Sequence, residues 1–212
     1  IFPDQMRRSA MSCSGNPDIK TPNIDRLAKE GTRFTNACSI YPVCVPARFG
    51  LLTGQYPHTR QVPGIAWRMS PCERTIAHEL NDAGYETCYI GKWHLYGGFA
   101  KGSQEVREHI SKSSIPKEFR GGFQKWRGFD LRNHHFDTYY QFDEEQEPRA
   151  IEGYQTDGLF EITERYIKKE RDENKPFFIF LSPEAPHGPL QVPDEFLERF
   201  EDIELSLPPN ID

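Results

Sequence analysis

A run of five apolar residues at 177–181, directly after Pro176, constrains the fold of this chain more than any other segment. A short, continuous apolar run of this kind is typical of a central strand in a parallel sheet, because both faces of such a strand are buried. A second strand is predicted at 85–90, and helix-like segments alternate with the strand-like ones. This alternation at short spacing predicts an α/β layer architecture.

Helix and strand signals extend along most of the chain. A capped helix start is predicted at 21–23, and Gly31 ends that helix. A strand is predicted at 32–37, and further helices at 75–83 and 155–171. The apolar face of the last helix is formed by Leu159, Ile162, Tyr166 and Ile167.

Residues 97–150 differ from the rest, since glycine, serine, charged and aromatic residues mix there without a clear period. A long irregular stretch in a compact domain is usually functional or mobile. We therefore treat this stretch as a candidate functional segment.

The net charge limits the class of partner. The 212 residues have a formal net charge of -6 and a pI near 5.7, which argues against a general nucleic-acid binder. An anionic substrate would therefore need a local cationic pocket. No apolar run approaches the ~20 residues that a bilayer demands, so the sequence predicts neither a membrane span nor a signal peptide. Because the chain begins at Ile1, we expect a natural N-terminal segment to be missing.

The cysteines are too few and too irregularly spaced for a disulfide framework or a zinc site. There are five of them: Cys13, Cys38, Cys44, Cys72 and Cys88. Since five is odd, at least one stays unpaired within a monomer, and Cys44 is the candidate.

Residues 42–54 place Cys44, Pro46 and Arg48 on one short turn, as C-x-P-x-R followed by an apolar pair and Thr-Gly. Pro46 favours a helix start, because its fixed φ suits the first turn. Cys44 would then lie at the helix N-terminus, where free N–H groups favour an anion, and Arg48 one turn on would direct a cation to the same place. The residues expected to anchor this helix in the core are Phe49, Leu51 and Leu52.

Three interpretations of this turn compete. A free cysteine is more often inert packing than a nucleophile. A phosphatase-type cysteine loop needs an arginine six residues on, where this chain has Gly50. The full thirteen-residue pattern resembles the signature of the type I, formylglycine-dependent sulfatases of the alkaline phosphatase-like superfamily. Val45 departs from that pattern, which has a small residue after the cysteine.

Two further segments resemble sulfatase motifs. Residues 84–94 resemble the second signature, and they deliver Lys92 and His94 to the carboxyl edge of the sheet, where ligands bind in open α/β folds. These two residues are two apart, so on extended backbone they project from the same side. Residues 185–189 resemble the A-P-H-x-P turn, whose histidine is His187, and they follow the 177–181 strand to the same edge.

The resemblance implies a role for each of these residues. A maturase that reads C-x-P-x-R would oxidise Cys44 to formylglycine, and the hydrated aldehyde would attack the sulfur of a sulfate ester. Arg48 and Ca²⁺ would stabilise the hydrate, while Lys92 and His187 hold sulfate oxygens. His94 would assist collapse of the covalent intermediate.

The resemblance also implies a calcium site. Related enzymes place an Asp-Asp or Asp-Gln pair after the first strand, and here Asp4-Gln5 follows Pro3, so only Asp4 can be transferred as a carboxylate ligand beside Cys44. The second metal pair and a further lysine of the family are expected beyond residue 212. The chain alone is therefore expected to have negligible turnover.

The implied fold is alkaline phosphatase-like, with a mostly parallel central sheet and helices on both faces. Residues 1–212 would form the N-terminal part of the catalytic domain, with 97–150 as a variable insertion that shapes the substrate pocket. His134 and His135 are specificity candidates within it. The full-length protein is expected to be exported to the periplasm, the medium or a lysosome.

The predicted function is hydrolysis of sulfate esters of carbohydrates or aryl alcohols, with the sulfated molecule and the maturase as partners, and without nucleic acid or membrane. One alternative is a phosphonate or phosphate monoester hydrolase of the same superfamily. The other is a truncated, inactive chain that binds anions or carbohydrate.

Overall fold

The fold, seen in a computed structural model that describes residues 1–97 and 113–206, confirms the predicted α/β architecture. These residues also contain five short 3₁₀ turns. The helices are α1 (Pro22–Glu30), α2 (Cys44–Thr53), α3 (Ile76–Asp82), α4 (Gln155–Arg165) and α5 (Asp194–Leu197). A π-helical turn, Tyr166–Glu170, extends α4 over the length that the sequence predicted.

Five strands of the described residues form one sheet in the order β4-β3-β2-β1-β5. Both neighbours of β1 run parallel to it, whereas β3 is antiparallel to β2 and to β4. The sheet is therefore mixed, with its parallel strands β2, β1 and β5 side by side. The strands are β1 (Glu86–Lys92), β2 (Lys125–Phe129), β3 (Phe136–Phe142), β4 (Arg149–Tyr154) and β5 (Phe177–Ser182).

The registers of the parallel strands align their carboxyl ends. Gly91 of β1 pairs with Ser182 of β5, and Lys92 pairs with Phe129 of β2. Residues that follow these strands therefore meet at one edge of the sheet, as the sequence predicted.

Two buried clusters cover the two faces of this sheet, and β1 contributes to both. Tyr89 packs with α2 residues such as Phe49 in one cluster, while Cys88 and Ile90 pack with Leu159 of α4 in the other. This alternation follows from the two-residue period of a strand. The prediction of helices on both faces is confirmed.

The chain divides into two compact units. The first comprises residues 1–4 and 39–190, and contains the sheet. The second comprises 5–38 and 191–212, and Asp25 organises its N-terminal half by accepting hydrogen bonds from the Ser12 hydroxyl at 2.6 Å and the Cys13 N–H at 2.9 Å.

Several local predictions are wrong. Residues 32–37 form turns and exposed coil, because they have no buried face on which a strand could pack. Leu51 is 51 % exposed, whereas Phe49 and Leu52 are buried as predicted. The described part of 97–150 contains β2, β3 and the start of β4, while residues 98–112 lie outside the described residues. The prediction that Cys44 stays unpaired is confirmed, since all five cysteines are free thiols.

Candidate active site

The N-terminal segment places Asp4 beside the end of β5. The backbone N–H groups of Phe2 and Asp4 donate to the carbonyls of Leu181 and Pro183, at 2.7 and 3.1 Å. Asp4 is buried there. Its carboxylate becomes the common partner of the groups that arrive from α2, β1 and the turn after β5.

Cys44 is the first residue of α2 and is half-buried, with its Sγ 3.8 Å from Oδ1 of Asp4. Burial raises the pKa of the Cys44 thiol, and the Asp4 carboxylate raises it further, while nearby cations offset only part of this. A nucleophilic cysteine depends on its thiolate. Unmodified Cys44 is therefore a poor nucleophile at neutral pH.

Arg48, one turn after Cys44, is buried and is held by several contacts. Its Nη1 donates to the carbonyl of Lys92 at 2.6 Å and to Oγ of Ser182 at 2.8 Å. Its Nη2 lies 3.4 Å from Oδ2 of Asp4. The guanidinium thus links α2 to the ends of β1 and β5, and its cation lies within the site.

Lys92 ends β1 and its side chain is fully buried. Its Nζ lies 2.6 Å from Oδ2 of Asp4 and 3.1 Å from Oε1 of Glu184. A buried ammonium is strongly unfavourable unless it is paired. The two carboxylates supply that pairing, so both cations and both carboxylates form one buried ionic cluster.

His94 follows β1 in a left-handed conformation, with φ of 54°, and its N–H donates to the carbonyl of Asp130 at 2.8 Å. The prediction that His94 and Lys92 share a side on extended backbone is therefore wrong, because β1 ends at Lys92. Burial, and then the charges of Lys92 and Arg48, lower the pKa of His94 to about 3. Its imidazole is neutral at physiological pH, and its buried Nδ1 has no hydrogen-bond partner among the described residues.

His187 lies in the turn after β5, where its N–H donates to the carbonyl of Glu184 at 3.0 Å. Its Nδ1 lies 2.6 Å from the carbonyl oxygen of Gly188, which can only accept, so Nδ1 carries a proton and donates it in this contact. Ligand-type atoms of Asp4, Cys44 and His187 all lie within 4.8 Å of one another. This turn therefore completes the cluster around Asp4.

The structure thus brings the predicted site residues to one edge of the sheet, and it adds four that sequence reasoning missed. Ser182 is the last residue of β5, and Glu184 lies two residues after it. The sequence did contain a signal for both, because they lie in the segment that leads to His187. Tyr89 donates its hydroxyl to the carbonyl of Lys92 from within the aromatic core, which no sequence pattern indicated. Asp130 accepts the N–H groups of residues 96 and 97, at 3.0 and 2.7 Å, and so fixes the loop after His94.

The two specificity candidates occupy different environments. His135 is buried, and its Nε2–H donates to the carbonyl of His187 at 2.7 Å. His134 is exposed, and its ring bonds the carbonyl of Phe136 in its own segment at 2.7 Å. Of the two, His135 therefore contacts the candidate site.

The comparisons with known proteins identify the family. The model of the Sulfatase family matches residues 1–208. The chain belongs to the sulfatase family. The Ulvan-active sulfatase of Formosa agariphila is 32 % identical over 212 residues, which are 100 % of this chain and 39 % of that sulfatase.

Solved structures related to sulfatases show the same fold. A structure from the glycosaminoglycan metabolism of Bacteroides thetaiotaomicron matches with a TM-score of 0.86 and 27 % identity, over 100 % of this chain and 50 % of that one. A protein in complex with its substrate D-glucosamine-2-N,6-O-disulfate matches with a TM-score of 0.82 and 29 % identity, over 99 % of this chain and 38 % of that one. The fold is therefore alkaline phosphatase-like, and this sulfatase chain spans half or less of the length of these proteins.

The donor atoms at the site fit a calcium ion in part. Calcium prefers about six to eight oxygen ligands. Asp4 offers a carboxylate, but unmodified Cys44 offers sulfur and His187 offers nitrogen. If Cys44 is oxidised to formylglycine, an oxygen replaces its sulfur, and Asp4 and residue 44 would then form two ligands of the ion.

Among the described residues of this sulfatase, no helix has the length and apolar character needed to span a bilayer.

Proposed function

We propose that the full-length protein hydrolyses sulfate esters with a nucleophile made from Cys44. The observation that supports this most directly is the convergence of Cys44 and two buried cations on the carboxylate of Asp4, at the carboxyl edge of the sheet. A tetrahedral anion needs such fixed cations, because they stabilise charge without reorganising during the reaction. The family membership supports the same chemistry.

Residue 44 would react only after its conversion to formylglycine by a maturase, since the unmodified thiol is protonated. Formylglycine would supply an aldehyde hydrate, one oxygen of which forms a bond to the ester sulfur while the bond from sulfur to the alcohol oxygen breaks and the alcohol leaves. A bound calcium ion would supply Lewis-acid stabilisation of charge. Arg48 is held rigid by the carbonyl of Lys92 and by Ser182, and so fixes the orientation of residue 44 through Asp4.

The remaining residues would bind the sulfate group and move protons. Lys92 would hold a sulfate oxygen through its ammonium, and His187 would hold another through Nε2 when that atom carries a proton. His94 is neutral, so its imidazole can accept the proton of the remaining hydroxyl when the covalent intermediate collapses to the aldehyde and releases sulfate. Each of these roles is a prediction for the full-length protein.

The proposed substrates are sulfated carbohydrates, with aryl sulfates as simpler substitutes. Support comes from the relatives, of which one is described as ulvan-active and one binds a disulfated glucosamine as its substrate. The contact of His135 with the His187 carbonyl supports a role of the 97–150 segment in shaping the pocket. We also propose export of the full-length protein, which secretion into the medium or periplasm would test.

The deciding experiment uses the full-length protein, produced with and without a maturase. We expect the peptide that contains residue 44 to have the mass of formylglycine in place of cysteine only when the maturase is present. We expect measurable kcat/KM for an aryl sulfate in that same sample. A Cys44→Ala variant is the matched control, because alanine cannot be oxidised to the aldehyde. Higher kcat/KM for an aryl phosphonate would favour the phosphonate hydrolase, and no turnover of either ester by the converted protein would favour a binding protein.

A further inference from the structure

Glu184 is a buried carboxylate that pairs with Lys92 and takes no part in the proposed reaction. It is 0 % exposed, and its Oε1 lies 3.1 Å from Nζ of Lys92 and accepts the N–H of Asn133 at 3.0 Å. Its Oε2 is also buried, and no group in residues 1–97 or 113–206 donates a hydrogen bond to it. Burying a carboxylate in this way is costly, so its presence beside the anion site calls for an explanation.

The charge of the cluster changes with this residue. Asp4 and Glu184 contribute two negative charges, and Arg48 and Lys92 contribute two positive charges, in contacts of 2.6 to 3.4 Å. The formal charges of these four side chains cancel. Without Glu184 they would sum to one positive charge.

A substrate anion at Lys92 would therefore be attracted by the ammonium and repelled by the Glu184 carboxylate, which lies 3.1 Å from that ammonium. The Coulomb energy of two charges is proportional to their product, and it is larger in a buried site than in water. The Glu184 carboxylate thus repels a doubly charged ester about twice as strongly, in energy, as a singly charged ester at the same position. Sulfate esters are singly charged, whereas phosphate monoesters are doubly charged at mildly alkaline pH.

We propose that Glu184 is a specificity-determining residue, whose buried charge beside Lys92 makes the site select a singly charged sulfate ester over a doubly charged phosphate ester. This inference deepens the proposed function and rests on it, since it concerns the anion bound at the same site. It assigns the choice between the two ester classes to one carboxylate and not to the shape of the pocket.

The test uses benzenesulfonate and phenylphosphonate, which have the same tetrahedral shape, cannot be hydrolysed, and are singly and doubly charged at mildly alkaline pH. Calorimetry on the full-length wild-type protein is expected to give tighter binding of the sulfonate. In Glu184→Gln the sulfonate affinity is expected to rise roughly tenfold or more and the phosphonate affinity by about the square of that factor, so that the ratio of the two Kd values shifts roughly tenfold or more.

Two variants separate charge from structure. Glu184→Asp keeps the charge, and its Kd ratio is expected to stay near that of the wild type. Glu164→Gln removes the same charge from an exposed ion pair that Glu164 of α4 makes with Lys168 of the π-helical turn, and its ratio is expected to change by less than about twofold.

Four results would overturn the proposal: tighter binding of phosphonate by the wild type, an unchanged ratio in Glu184→Gln, an equal loss of both affinities in that variant, or binding of neither probe. If Glu184→Gln does not fold, the wild-type preference and the Glu184→Asp ratio decide. Binding of the probes does not depend on hydrolysis. If the Kd ratios are as predicted but the converted full-length protein does not turn over an aryl sulfate, the proposed function is refuted and the role of Glu184 is not. Turnover with unchanged ratios would refute the role of Glu184 alone.

Discussion

Gly91→Ala tests how the sheet positions the site, because Gly91 immediately precedes Lys92 in β1. Gly91 has a φ of 100°, and a Cβ built there would lie 2.2 Å from the carbonyl oxygen and 2.8 Å from the carbonyl carbon of Ser182. Real Cβ atoms essentially never approach closer than 3.0 Å, so the backbone of β5 would move by about 1 Å. Lys92 and Ser182 would then separate from the groups they contact.

The expected cost can be worked from these contacts. A side chain at positive φ costs about 1–2 kcal/mol. Two or three inter-strand hydrogen bonds around Ser182 would be lost at about 1 kcal/mol each. Gly91→Ala is therefore expected to lower the free energy of unfolding by about 3–5 kcal/mol, a large part of the roughly 5–15 kcal/mol of a typical domain.

Gly84→Ala is the matched control for this substitution. Gly84 also has a positive φ, of 86°, but no heavy atom of the described residues lies within 4 Å of the place that an added Cβ would take, and Gly84 is exposed after α3. Only the backbone cost of about 1–2 kcal/mol is expected there. Guanidinium unfolding of both variants measures the difference, and values for Gly91→Ala and Gly84→Ala within about 1 kcal/mol of each other would refute the steric reasoning.

Two further predictions concern titration. His94 is expected to stay neutral in an NMR titration of the ring nitrogens down to about pH 4, because burial, followed by nearby cations, lowers its pKa to about 3; a midpoint above pH 5 would contradict this. Burial raises the pKa of Glu170, but hydrogen bonds from Arg127 and Arg165 outweigh burial and leave the pKa below the ordinary 4.5. The ionised Glu170 side chain therefore stabilises the folded protein above pH 4.5, and this contribution is lost as the pH falls through the pKa of the folded state. Glu170→Gln is therefore expected to cost about 1–2 kcal/mol at pH 7 and little under strongly acidic conditions, measured by urea unfolding at both pH values; an equal cost at both would contradict the ionic explanation.

The position of the site was predictable because parallel strands share one carboxyl edge. Lys92 ends β1 and His187 follows β5, both strands are visible in the sequence, and the registers of β1 and β5 align their ends. The turn at Cys44 was predictable for a similar reason, since Pro46 lies in the first turn of α2. Short sequence segments determined the two strands and the turn, and pairing of the strands then brought these segments together.

The strands β2 and β3 were not predictable because polar residues occupy several of their buried positions. Arg127, Thr138 and Gln141 are all nearly inaccessible, so no apolar alternation marks these strands. Arg127 is stabilised by ion pairs with Asp143 at 2.7 Å and Glu170 at 3.0 Å, neither of which is close in sequence. Tertiary pairing thus made a strand from residues that favour a surface loop.

Two effects on Cys44 oppose each other, and their balance bears on the chemistry of the site. A helix N-terminus with a nearby arginine lowers the pKa of a cysteine and produces a reactive thiolate. Here Arg48 lies 3.4 Å from Asp4, whose carboxylate lies next to the thiol, and burial with that carboxylate raises the pKa of Cys44 instead. The cations of Arg48 and Lys92 pair with the Asp4 carboxylate and do not stabilise a Cys44 thiolate. This geometry is consistent with the proposal that the nucleophile at residue 44 is an oxygen and not sulfur. The role proposed for Glu184 follows the same logic, because its carboxylate offsets part of the positive charge that Lys92 brings to the site.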